Sequence, residues 1–153
     1  LTVALGARLL ALHGEDEDRA REKLTDAISS GRAMTRFAQM IALMGGPPDM
    51  ADDWRTHLPK AKIVGDVVAP KAGYIAAING EALGLAVVEM GGGRRVETDR
   101  IDPSVGFSDM VRLGAKVQKN KILCTIHAAS EDAAETAAQA VLAAITIGEK
   151  PVF

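Results

Sequence analysis

The sequence predicts an α+β fold in two parts, a helical lead over residues 1–60 followed by a mixed strand-and-helix domain over residues 61–153. Three observations carry this reading. Apolar residues recur at helical spacing as far as Leu58-Pro59, where X-Pro disfavours continued helix. Residues 62–69 then turn strand-like and rich in Val and Ile. The stretch over residues 79–95, NGEALGLAVVEMGGGRR, is apolar on every side until three glycines and two arginines end it. A helix that is apolar all round is expected to be buried, so the second part is read as wrapped around this one.

Composition narrows the class. With 48% hydrophobic and 25% charged residues the chain is globular in type, and with only 3% aromatics its core must be aliphatic. A net charge of −2 leaves no electrostatic footprint for nucleic acid or for an anionic membrane. No apolar run reaches the roughly 18 residues of a membrane span. The opening LTVALGARLLALHG has neither the basic lead nor the cleavage site of a signal peptide. A single cysteine, Cys124, cannot form an internal disulfide, and a reducing, cytoplasmic setting is expected. The chain starts at Leu1 without a Met, so it is expected to be a piece of a longer protein.

In the lead, residues 1–13 carry Val3, Leu5, Leu9, Leu10 and Leu12 and predict a buried helix stopped by Gly14. The acidic residues 15–18 suit the positive end of the next helix. That helix, residues 18–30, places Ala20, Leu24, Ala27 and Ile28 on one stripe before Gly31. A third helix over residues 32–44 turns Met34, Phe37, Ala38, Ile41 and Leu43 inward, and Gly45-Gly46-Pro47-Pro48 ends it. Asp49 then caps a short turn through Trp54.

In the second part, residues 62–69 and 72–79 predict two strands, separated by Pro70. Asn79 can cap the helix that follows. Gly84, in mid-helix, predicts close approach by a neighbouring backbone, and Gly91 fits the left-handed position past a helix end. Residues 94–104 read as a loop with a turn at Asp102-Pro103, residues 105–111 as a strand, 114–120 as a turn and 122–128 as a strand. Ser130 caps a last helix whose stripe is Ala134, Ala138, Val141 and Ile145, ending at Gly148 and Pro151. Val152-Phe153 would open a final strand.

The candidate functional loop is Gly91, Gly92, Gly93, Arg94 and Arg95. Two arginines on a glycine-tethered loop can grip a phosphate or carboxylate, whereas the plain alternative is a solvated turn. The loop follows a helix C-terminus, where the dipole is negative. It is therefore not a phosphate-cradling loop, since those precede a helix. Cys124 and His127 have a C-x-x-H spacing, but residues three apart on a strand face opposite ways and cannot share a metal. His13 and His57 have no second ligand nearby in sequence, so no metal site is expected. Asp99 and Asp102 could pair as catalytic carboxylates, yet their loop setting favours turn formation.

MGGGRR, then DRIDPSVGF, then LGAKVQKNKIL, then TIHA occur in the order found in thymidine and pyrimidine-nucleoside phosphorylases, and the chain resembles their C-terminal portion. The resemblance implies that residues 1–60 are the end of the α/β phosphorylase domain. Residues 61–153 would be a C-terminal domain of the β-hammerhead kind, close in shape to barrel-sandwich hybrids. It implies an enzyme that takes a pyrimidine nucleoside and inorganic phosphate to free base and pentose-1-phosphate, with no other cofactor and no metal. The partners implied are those two substrates and a second subunit, the homodimer forming through an N-terminal region outside this chain; neither nucleic acid nor membrane is expected. The family's phosphate-binding and base-binding motifs are not present here, so no catalytic residue is assigned to this segment. Gly91–Arg95 correspond to a region implicated in closing the cleft over substrate. The rival is a non-enzymatic interaction or carrier-like domain. Gly73-Tyr74-Ile75 and residues 113–123 resemble the halves of a biotinyl or lipoyl domain, but Glu89 stands where the modified lysine would be expected.

Overall fold

In the computed structural model, which describes residues 1–152, the chain divides after Leu58 into two units, Leu1–Leu58 and Pro59–Phe153. The first unit is four helices: α1 (Thr2–Leu12), α2 (Glu17–Ser29), α3 (Arg32–Leu43) and α4 (Met50–His57). Asp16 caps α2 by accepting the Arg19 N–H at 2.9 Å, with Glu17 and Asp18 in the first turn where the helix dipole favours them. Where α1 meets α2, Gly6 faces Leu24, whose Cδ1 lies 2.8 Å from where a Cβ would stand. Among the described residues the apolar stripe of the first helix is left largely uncovered. Only Ala7 of α1 is buried, and Leu5, Leu9 and Leu12 are exposed. The turn expected after Asp49 is a longer helix than the sequence suggested, reaching His57, with the Arg55 guanidinium 4.3 Å above the Trp54 ring.

The second unit holds two three-stranded antiparallel sheets and two helices. In one sheet β5 (Ile122–Ala128) lies between β1 (Ile63–Val68) and β3 (Gly106–Ser108). In the other β2 (Gly73–Ile78) lies between β4 (Lys116–Val117) and β6 (Ile145–Gly148). The two helices are α5 (Gly80–Val87) and α6 (Glu131–Ala144). Strand period 2 sorts the faces: Cys124, Ile126 and Ala128 of β5 point into the core, while Thr125 and His127 face the other way. Val67 faces Cys124 across the β1–β5 ladder. The core closes on Ile75, Leu123, Ile126, Val141 and Ile147, with Ala137 and Val141 the buried face of α6. Ser130 caps that helix by accepting the Ala133 N–H at 3.3 Å.

The helix α5 is not the centre of the domain. Leu85 is 59% exposed and Ala86 is the one buried residue of α5. Eight residues make about two turns, and only the side facing α6 finds a partner. No backbone approaches Gly84, around which a Cβ would meet nothing within 4 Å. The last helix is shorter than expected. It stops at Ala144, and Ile145–Gly148 pair with β2 as a strand, Ile145 and Ile147 inward. The turn over residues 114–120 contains β4, and the strand expected over 105–111 is only the three residues of β3. Val152 is in no strand, and Phe153 lies outside the described residues. Among the described residues no helix is long and apolar enough to cross a membrane.

Candidate functional site

The candidate loop is built from Asn79 onward. Its side-chain oxygen accepts the Ala82 N–H at 3.0 Å and starts α5. The helix then widens into a π turn, Val88–Gly92. Such a turn sets residue i+5 over residue i. A Cβ on Gly92 would fall 2.7 Å from Val87 Cγ1, and one on Gly93 would fall 2.7 Å from Val88 Cγ2. Gly91 has φ 95°, the left-handed conformation expected of it. The three glycines thus answer demands of conformation and packing, and mobility is not needed to explain them.

The residues after the glycines are pinned by two carboxylates. Asp99 Oδ2 accepts the backbone N–H of Arg95 at 3.0 Å and of Val96 at 3.1 Å. The Asp102 N–H donates to the Gly91 carbonyl at 2.8 Å, closing the loop onto the π turn. Asp102 Oδ1 accepts the Ser104 hydroxyl at 2.6 Å and its N–H at 2.9 Å. These bonds, the hydroxyl first, hold the Asp102 carboxyl below its ordinary value of 3.8, with a smaller contribution from Lys62. Asp99 and Asp102 are turn formers, as their sequence setting suggested.

Arg94 and Arg95 are not equivalent. Arg95 lines a cleft of about 310 Å³ with Ala86, Glu89, Met90, Asp132 and Thr136. Its guanidinium stands 3.7 Å from the Glu89 carboxylate, the two side chains 64% and 61% exposed. So long and exposed a pair is weak, and the head is free to leave it. Arg94 is exposed and makes no ion pair among the described residues. Glu89 and Asp132 make the cleft itself a poor place for an anion. Arg95 can meet one by turning away from Glu89.

The other candidates are kept apart by the fold. Cys124 is fully buried, and burial, with the Asp66 charge adding, pushes its thiol up to about 11. His127 lies on the opposite face of β5. A pair the sequence reading missed is Ser108 and His127, Oγ to Nε2 2.9 Å across β3 and β5, with the Ser108 hydroxyl also 3.2 Å from Asp109. Only the strand register brings them together, since they are 19 positions apart. His57 Nε2 meets Asp49 at 2.8 Å. Among the described residues no three of His, Cys, Asp and Glu gather as a metal set.

The arginine loop leaves a helix at its C-terminal end, whereas phosphate-cradling loops precede a helix N-terminus. Residues 74–148, from β2 to β6 and including the whole loop, match the family model of the pyrimidine nucleoside phosphorylase C-terminal domain. Over those residues the chain carries a domain of that family.

Proposed function

We propose that this chain is the C-terminal part of a thymidine or pyrimidine-nucleoside phosphorylase and that Gly91–Arg95 help close the cleft over substrate. The whole enzyme splits a pyrimidine (deoxy)nucleoside with inorganic phosphate into free base and (deoxy)ribose-1-phosphate, without a cofactor, as a cytoplasmic homodimer. Residues 1–60 are then the end of its α/β domain. Catalytic groups lie upstream, and this segment supplies structure and a lid element. The observation that carries the reading is the family match spanning the pinned arginine loop. A loop with a fixed backbone and a swinging guanidinium suits a segment that completes a site when a cleft shuts.

The test is pyrimidine release from thymidine or uridine plus phosphate, assayed on this chain alone and on the full-length protein. Release by the full-length protein and none by this chain is the expected result. Release by this chain alone overturns the assignment of catalysis to upstream residues.

A further inference from the structure

We propose that Asp99 is the positioning residue of the loop and that Arg95, not Arg94, is its working cation. The inference rests on the closure reading above and names the residues that carry it. Three constraints fix the backbone on which Arg95 sits. Asp99 takes the N–H groups of Arg95 and Val96 on a single carboxylate oxygen at 3.0 and 3.1 Å. The Asp102 N–H ties residue 102 to the Gly91 carbonyl. Gly92 and Gly93 are seated against Val87 and Val88, with no room for a side chain of their own. Against this fixed base the guanidinium is held, among the described residues, only by its 3.7 Å pair with Glu89.

Such an arrangement separates two jobs. The loop need not refold to act. Rotation of the Arg95 side chain takes the cation from Glu89, where it is parked, to an oxyanion presented from outside the cleft. The partner expected is the phosphate group of the substrate or product, which can accept two guanidinium N–H bonds, whereas Glu89 offers one long contact. Among the described residues Arg94 has no such parking place and no side-chain acceptor on its own N–H. Asp99 touches no substrate in this account. Its effect on turnover passes through Arg95.

The experiment uses the full-length enzyme and the variants Asp99→Ala, Asp99→Asn, Arg95→Ala and Asp99→Ala with Arg95→Ala. Turnover and KM for phosphate are read alongside amide exchange at residues 95 and 96. Misplacing the arginine should lower kcat/KM for phosphate roughly ten- to a hundredfold in Asp99→Ala, comparable with Arg95→Ala. The double variant should be no worse than Arg95→Ala alone, because both changes remove one interaction. Asp99→Asn keeps an acceptor oxygen, so it should recover most of the loss and most of the exchange protection. Losses that multiply in the double variant, or an Asp99→Asn as impaired as Asp99→Ala, overturn the positioning role. A loss in Arg95→Ala with none in Asp99→Ala, or wild-type turnover in Arg95→Ala, overturns this proposal alone, while wild-type turnover in Arg94→Ala with Arg95→Ala overturns the closure reading as well.

Discussion

Gly92 sits over Val87 so closely that a Cβ on the glycine would lie 2.7 Å from Val87 Cγ1 and 3.2 Å from Val105 Cγ2. The π turn causes this, because its wider register sets each residue over the one five before it. Gly92→Ala should therefore cost about 1–3 kcal/mol, the range for forcing an extra methyl into a packed place. Gly84→Ala should do the reverse. Its helical site has nothing within 4 Å of a new Cβ, and a helical Gly→Ala change is worth about 0.5–1 kcal/mol. Urea unfolding of the two variants checks the pair. The same substitution eight residues apart should move the midpoint in opposite directions.

Leu85→Asp tests where the centre of the second unit lies. Leu85 is 59% exposed, so the change should shift stability by no more than about 0.5–1 kcal/mol, as surface substitutions do. Leu123→Ala removes a fully buried side chain between β5 and the core and should cost about 2–5 kcal/mol. Thermal melts that rank the two the other way would return α5 to the centre.

What the sequence made legible was mostly local. Asn79 and Ser130 signal their caps through bonds three residues away, and the change of hydrophobic period at Pro59 falls where the chain divides. Asp99 and Asp102 behave as turn residues for the same reason. What escaped was tertiary. Ile145-Thr146-Ile147 fit both the end of a helical stripe and a strand alternation, and only pairing with β2 decides for the strand. The run through α5 looked buried because it is apolar all round, but a two-turn helix can leave one side uncovered. The packing of Gly92 and Gly93 escaped as well, because composition does not reveal that Val87, Val88 and Val105 occupy the space their side chains would need. Ser108 and His127 meet only through the register of β3 on β5.

Acid should weaken the loop through Asp102. Its carboxyl is held below 3.8, chiefly by Ser104, so the folded state favours the charged form. The stabilisation is present above the unfolded value and is lost as pH falls through the lower folded one. Below about pH 4, Asp102→Asn should therefore lose less stability with falling pH than the wild type does. Parallel acid unfolding curves for the two would contradict the assignment.

Cys124 predicts the opposite pH dependence. Burial raises its thiol from 9.0 to about 11, so the folded state keeps the proton longer than the unfolded chain. That contribution is complete below pH 9.0 and is lost as pH rises through about 11. Cys124→Ala should show a smaller alkaline decline, followed by urea midpoints between pH 8 and pH 11. In the native wild type, a thiol reagent should react only as fast as the core opens, since the sulfur is fully buried.

The role proposed for the arginine loop is in phosphorolysis by the whole enzyme. The most direct measurement is pyrimidine release from thymidine and phosphate by the full-length protein carrying Arg94→Ala with Arg95→Ala. Turnover should fall by about ten- to a hundredfold, or roughly 1.4–2.7 kcal/mol of barrier, with a melting temperature close to wild type because exposed charges contribute little to stability. Wild-type turnover in that double variant would contradict it and leave Gly91–Arg95 a solvated turn.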